Sequence, residues 1–396
     1  MFDHIMKEPN SRQPTFVENL LLGCLAEDTP KLIPGVFLTI GLVVGAIIFA
    51  NWANEALAQK GLVSYILIAI IFGMLVRNTV GLATPFLPGI RFSLQKLLKL
   101  GIILLGIRLS LTDVVVIGGW GIPIVIGCIL TGLLATTYFT RLLKLPDRLG
   151  TLTAVGTSIC GATAIVAMAP SIEATDDEIA YSVANITIFG IIAMLTYPYL
   201  ANVIFGGDLI RVGLFIGTSI HETAQVAGAG LIYDQSFSIT ADPGAADVAV
   251  VTKLVRNVMM AAVVPGMAFL YARRMVKLGR LADQQKKVTA LRLVPVFIVG
   301  FLLMATLRSI GDAGLEAGEL AAGIWKREQW DSLVGGIEEW SGYILATAMA
   351  GVGLGTSFKI MKGLGVRPFA VGFVAAIMVG LTSIVLVFLL SPLIEL

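Results

Sequence analysis

Ala154-Val155-Gly156-Thr157-Ser158-Ile159-Cys160-Gly161-Ala162-Thr163-Ala164 sits inside an apolar run from 149 to 169. Glycine, threonine and serine clustered in such a run can stop and restart a helix in mid-membrane. The half-helix N-termini this leaves carry free N–H groups and a positive dipole end, which attract anions. The bland reading is close helix packing through small residues. A second stretch, Ala350-Gly351-Val352-Gly353-Leu354-Gly355-Thr356-Ser357, carries the same Gly-Thr-Ser triplet.

Working outward, a bilayer core needs about 20 apolar residues per helix. Spans on that criterion are 33–50, 62–79, 95–112, 115–137, 149–169, 179–205, 209–232, 246–271, 291–308, 341–359 and 369–392. The expected fold is therefore an all-α integral membrane protein of about eleven transmembrane helices. Setting aside the first span and its loop (33–60), five spans (61–206) are followed by five more (207–396). Because five is odd, the second set starts on the opposite side, so the two form inverted repeats. The Gly-Thr-Ser triplets fall in the fourth helix of each set, which predicts that spans 5 and 10 are both broken and cross near the membrane centre.

Composition points the same way. The chain is 57% hydrophobic and 14% charged, with a mean hydropathy of +0.89, against roughly 45–50% and about 25% for a soluble globular protein. A formal net charge of +2 gives no reason to expect nucleic acid as a partner. Cys24, Cys128 and Cys160 lack metal-ligand spacing and imply no disulfide framework; no metal and no cofactor is expected. Residues 1–32 read as a cytoplasmic segment without a cleavable signal, in which 16–22 has the pattern of a short surface helix.

Loops following alternate spans hold the basic residues, among them Arg141, Lys144 and Arg148, then Arg273, Arg274 and Lys277. Their partners across the membrane hold acidic ones, and Trp52, Trp120, Trp325, Trp330 and Trp340 share that second side. The positive-inside rule and the aromatic belt then put the N-terminus inside, the C-terminus outside and the stretch 313–340 outside, with a helix lying on the surface there. In a bacterium this is the inner, or cell, membrane.

Three groups could carry chemistry. His221 and Glu222 fall mid-span in Gly217-Thr218-Ser219-Ile220-His221-Glu222-Thr223-Ala224-Gln225, where ionisable side chains are costly and mark function by default. Lys253, Arg256 and Asn257, spaced three and four apart, share one helix face in span 8. Thr157, Ser158 and Thr163, with Thr356 and Ser357, would line the helix breaks. The expected substrate-binding set is Thr157, Ser158, Thr163, Gln225, Lys253, Arg256, Asn257, Thr356 and Ser357, with His221 and Glu222 in coupling. Two bases against one acid leave one positive charge, suiting an anion, and an imidazole titrating near ~6.5 is a natural proton carrier. Asn185 and Thr187 are polar at mid-depth. Arg108 lies near the outer interface and is expected to snorkel or pair with Asp113.

These motifs carry a resemblance. Gly106-Ile107 through Leu109-Ser110-Leu111, Gly156 to Gly161, Ser219 to Gly230 and Lys253-Leu254-Val255-Arg256-Asn257 resemble the YeiH-like sulfate exporter family, a relative of the bile-acid, arsenite and riboflavin transporter superfamily. The resemblance spans most of the chain from the second span onward, and Glu222 stands where many relatives are expected to have aspartate. It implies two inverted five-helix repeats, broken helices crossing at the centre and an elevator-type mechanism. The reading is then a secondary transporter of a small anion such as sulfate, sulfite, an organosulfonate or a carboxylate. Its partners are that anion, the lipid bilayer and a coupling proton or sodium ion, with a homodimer left open.

A cation–proton antiporter using Glu222 is the main rival, disfavoured by the net basic site. An intramembrane enzyme lacks HExxH and GxSG motifs, and Tyr233-Asp234 lies too shallow for an aspartyl pair, so no enzymatic activity is expected. A channel is disfavoured by broken-helix symmetry. Sidedness is open to direct test: single cysteines in 272–290 should react with a permeant reagent only, and those in 313–340 with an impermeant one. The opposite pattern inverts the topology.

Overall fold

The structure, a computed structural model, describes residues 18, 26–56, 63–241, 243–277, 295–318, 320–357 and 365–391. All of the expected surface helix at 16–22 except Glu18, most of the basic loop 272–290 and Asp242 lie outside the described residues. Helices follow one another as α1 (Ile33–Ala56), α2 (Tyr65–Thr79), α3 (Leu87–Phe92), α4 (Leu98–Leu105), α5 (Leu111–Leu142), α6 (Asp147–Ser158), α7 (Ala162–Met168) and α8 (Asp176–Phe205). Then come α9 (Leu209–Ser219), α10 (Thr223–Ser236), α11 (Ala245–Val258), α12 (Met260–Lys277), α13 (Val296–Glu316), α14 (Arg327–Gly355) and α15 (Val366–Leu390). No strand occurs among the described residues beyond one isolated bridge between Ala321 and Trp325.

Among the described residues six helical stretches are long and apolar enough to cross a membrane: Glu27–Ala56, Leu111–Leu142, Asp176–Phe205, Ala245–Val276, Val296–Glu316 and Val366–Leu390. Apolar side chains along them face outward, with Phe37, Val44, Ile48, Leu134, Val203 and Leu389 each more than half exposed. In water such surface would be unfavourable at about 25 cal/mol per Å², so these faces belong against lipid. The chain is a multi-pass, all-helical membrane protein.

It divides into two compact units. The first comprises Met1–Ile107, Asp234–Ile239 and Ile310–Phe358. In it α14 packs along α2, α4 and α1. The approach is set by glycine: a Cβ on Gly353 would strike the Ile70 carbonyl and come 3.0 Å from the Gly73 Cα. Ser341 donates to the Gly101 carbonyl at 3.0 Å, and Trp330 stacks on Gly311 while its indole N–H donates to Asp312 at 2.9 Å.

One expectation changes in this unit. Residues 327–340 are not a separate surface helix: they form the first half of α14, running unbroken into 341–355. Span 10 runs as helix through Gly351 and Gly353 and ends at Gly355 with Thr356 as its cap, inside the stretch where an interruption is expected; residues 358–364 lie outside the described residues.

The second unit comprises Arg108–Tyr233, Thr240–Ser309 and Lys359–Leu396. Here α5 packs on α6, α11 and α15, α9 on α11 and α15, and α6 on α8. Gly217 of α9 admits α11, since a Cβ there would lie 2.6 Å from the Ala249 carbonyl. Capping boxes start α5 at Ser110 with Asp113 and α8 at Thr175 with Glu178. Asp113 is thus occupied at a helix start, and Arg108 pairs instead with the buried Asp247 at 3.4 Å.

The glycine contacts yield a stability prediction. Gly353→Ala should lower the melting temperature of the detergent-solubilised protein by an amount corresponding to roughly 1–3 kcal/mol of overpacking. Gly335→Ala, where the added carbon meets nothing within 4 Å, should not lower it. Equal melting temperatures for Gly353→Ala and wild type would show that α2 and α14 do not meet there.

Candidate functional site

Both helix breaks of the second unit follow one tetrapeptide. Gly156-Thr157-Ser158-Ile159 ends α6, and Gly217-Thr218-Ser219-Ile220 ends α9. In each the serine is the last helical residue and the isoleucine is the cap, with φ −122° and ψ −96° at Ile159 and φ −84° and ψ 140° at Ile220. The chain restarts as α7 after Gly161, whose φ of +65° favours glycine, and as α10 after His221 and Glu222. Thr218 and Ser219 bond back to the carbonyls of Leu214 and Phe215, a local competition that loosens a helix end.

A helix that stops inside a protein leaves carbonyls without partners, and in a membrane interior water cannot supply them. Two cations of α11 do. The Lys253 ammonium donates to the carbonyls of Ile159 at 2.8 Å, Ile220 at 2.9 Å and His221 at 2.6 Å. The Arg256 guanidinium donates to Ser158 at 2.8 Å through Nε, to Thr157 at 2.6 Å through Nη2, and to Thr218 at 2.8 Å and Ile220 at 3.2 Å through Nη1. Both side chains are 0% exposed, which disposes of snorkelling. Positive charge at the negative ends of two half-helices is also the favourable dipole arrangement.

Glu222 sits apart from this lock. Its carboxylate accepts from the Thr187 hydroxyl at 3.0 Å and is half-buried, as are Thr187 and Thr223, while Thr163 on α7 is exposed. Gln225 is buried in the first turn of α10, where its carbonyl oxygen accepts from the Glu222 N–H at 3.3 Å and its amide donates to the Thr187 carbonyl at 3.3 Å. It packs against Gly190 of α8, which leaves room for it. Asn257 donates to the Thr223 hydroxyl at 3.1 Å. His221 is 2% exposed and its Nδ1 has no partner; the same holds of the Thr157 and Ser158 hydroxyls and of Asn257 Oδ1.

Of the residues expected in the site, the second unit brings together Thr157, Ser158, His221, Glu222, Gln225, Lys253, Arg256 and Asn257, with Thr163 on the helix after the first break. Thr356 and Ser357 belong to the first unit, where the Thr356 carbonyl accepts from Asn78 at 2.9 Å. Within the second unit the broken companion of span 5 is span 7. The Gly-Thr-Ser-Ile repeat at 156–159 and 217–220 is the signal that finds it, being one residue longer than the triplet shared with 355–357. Arg256, expected to hold an anion directly, donates from its Nε and both terminal nitrogens to main-chain carbonyls. Asn185 serves helix packing, donating to the Pro368 carbonyl of α15's first turn at 2.8 Å.

The family model described as conserved hypothetical protein 698 matches residues 34–372. A UPF0324 membrane protein of Bacillus anthracis is 34% identical over 359 residues, covering 89% of this chain and 94% of its own length. The chain belongs to the UPF0324 membrane protein family. Further relatives with the same description come from Pseudomonas aeruginosa, 32% identical over 85% of this chain and 88% of the relative, and from Corynebacterium glutamicum, 30% identical over 94% and 95%.

The lock predicts a stability pattern for this UPF0324 chain. Arg256→Lys keeps the charge but replaces a planar fork, whose Nε, Nη1 and Nη2 each reach a different carbonyl, with one shorter ammonium centre, so at least one of the Thr157, Ser158 and Thr218 carbonyls loses its partner. At ~1–3 kcal/mol per unmade buried bond, it should lower stability by at least that much in thermal unfolding. Thr163→Ala, at an exposed position, should change it by less than about 0.5 kcal/mol. An Arg256→Lys protein as stable as wild type would mean that the guanidinium does not hold the helix ends.

Proposed function

We propose that the chain is a secondary active transporter of a small anion, carried in the second unit beside the break before α10, with Glu222 as the coupling carboxylate. The observation that carries the reading is the division of charge: Lys253 and Arg256 are fixed on carbonyls, and Glu222 is the half-buried ionisable group beside them. Two cations give +2, the two half-helix C-termini roughly −1 and the two half-helix N-termini roughly +1, and an ionised Glu222 −1, so the crossing keeps about one positive charge, which a monovalent anion neutralises. Protonating Glu222 adds a second positive charge and would strengthen the hold on the anion, so proton and anion would travel together. Sulfate, sulfite, an organosulfonate and a carboxylate fit this electrostatic requirement, and the resemblance to YeiH-like sulfate exporters supports the class. Inverted repeats and an elevator-type displacement belong to the proposal on that resemblance.

A second reading, the cation–proton antiporter, is favoured by one feature of the same geometry: the accessible charge is an acid. Glu222→Gln separates the two. It mimics the protonated state, so anions should still raise the melting temperature by RT ln(1 + [L]/Kd) expressed as a thermal shift, while proton-driven uptake into proteoliposomes should fall at least tenfold. The screen runs sulfate, sulfite, thiosulfate, taurine, sulfoacetate and small carboxylates against sodium and lithium. Stabilisation by a monovalent cation alone, lost in Glu222→Gln, would replace the anion reading with the antiporter.

A further inference from the structure

The Glu222 carboxylate is held as a bound anion is held. It accepts from the Thr187 hydroxyl of α8 at 3.0 Å, and the Ala162 main-chain N–H is directed at it from the start of the helical stretch Ala162–Ser171. Its side chain lies along Gly161, where an added Cβ would meet the Glu222 Cγ at 2.5 Å and its Oε1 at 3.2 Å. Gly161 has φ +65°, so the missing Cβ and the left-handed backbone together open the recess that the carboxylate fills. Lys253 lies within electrostatic reach, while its ammonium is engaged on three carbonyls. The recess therefore offers an O–H donor, an N–H donor and a positive field, and its occupant is an acid that the chain itself supplies. Donors of this kind bind a carboxylate whichever molecule carries it.

We propose that Glu222 is the resident occupant of the anion site, and that a substrate carboxylate or sulfonate takes the same donors only after Glu222 is protonated. The proposal rests on the anion-transporter reading and makes the proton a requirement where that reading makes it an aid. A proton bound to a Glu222 oxygen removes its charge, the neutral carboxyl gives up the Thr187 and Ala162 donors, and the incoming anion accepts from them. One negative charge is lost from the recess and one enters, so the charge at the crossing is the same before and after. Two ionised acids cannot share the recess, because like charges that close do not both stay ionised. Around Glu222 the titratable and charged groups are His221, its neighbour in the chain, Cys160, beside Gly161, and Lys253 on α11, backed by Arg256. From α8 it meets the uncharged Thr187. Lys253 and Arg256 are fixed on carbonyls, so the titration to be told apart from that of Glu222 is that of His221.

Glu222→Ala empties the recess, and formate is the probe. In calorimetry of the detergent-solubilised protein at neutral pH, Glu222→Ala should bind formate at least about tenfold more tightly than wild type does. Wild-type affinity should rise as the pH falls from about 8 to about 6, and Glu222→Ala should bind equally across that range. Loss of a negative charge raises anion affinity at any nearby site, so the shared donor decides. In the Glu222→Ala background, Thr187→Val should weaken formate binding at least about fivefold, and Thr187→Ser should not. Where Glu222→Ala does not fold, Glu222→Gln, which keeps an acceptor for Thr187 without the charge, should show the same loss of pH dependence and the same sensitivity to Thr187→Val. Equal formate affinity in wild type and Glu222→Ala, a pH dependence that survives in the variant and so belongs to His221, or indifference to Thr187→Val would each overturn the proposal. Anion uptake into proteoliposomes reports separately on the transporter reading. Uptake by wild type without the gain in Glu222→Ala keeps that reading and removes the resident carboxylate; the gain without uptake of any anion does the reverse.

Discussion

Seven hydrogen bonds from two side chains hold the centre of the second unit. Lys253 and Arg256, one helical turn apart on α11, donate to six different main-chain carbonyls at the ends of α6 and α9. A broken helix inside lipid is tolerable only where the freed backbone groups find partners, so without these donors neither break could persist. The cations need the breaks as well: a buried charge must be paired or solvated, and carbonyl dipoles do here what a carboxylate does in an ordinary ion pair. Glycines at 213 and 217 bring α9 close enough to α11 for both side chains to reach.

The lock explains why Glu222 remains free for other work. Had it paired with Lys253, the ammonium would have had one donor fewer for the carbonyls, and the acid would be fixed. Instead Thr187 and the first turn of α10 hold it, on the half-exposed side of the break. On the proposed reading, structural charge and titratable charge sit on different residues within one cluster, so that protonation would change the local field without loosening the scaffold.

Close packing is solved differently in the two units. In the first, glycine meets backbone: Gly353 meets Ile70 and Gly73, and Gly35 meets Gly89, which allows helices to touch without polar groups between them. In the second, glycines repeatedly face polar side chains, Gly132 facing Ser158, Gly190 facing Gln225 and Gly372 facing Asn185. There the space left by a missing Cβ houses hydrogen-bonding groups, which suits a unit whose interior carries charge.

The membrane class, the places of the long helices and the entry of ionisable side chains into the interior at His221, Glu222, Lys253 and Arg256 were legible in the chain, because hydropathy and the cost of burying charge are local properties of residues. The partner of the first break was not read from the shared triplet, since Gly-Thr-Ser at 355–357 and at 217–219 look alike and only the surroundings decide whether small residues break a helix or pack it. At 217–220 a lysine and an arginine reach the freed carbonyls, whereas at 351–355 the glycines lie against Ile70, Gly73 and Leu94 and the helix runs on to Gly355. The role of Arg256 was hidden for a related reason: composition shows that a guanidinium is buried but cannot show what it faces. Sequence determined where charge enters the membrane; tertiary structure decided that two of those charges end on carbonyls and one on a half-open edge, because hydrogen-bond partners come from residues as much as 99 positions away.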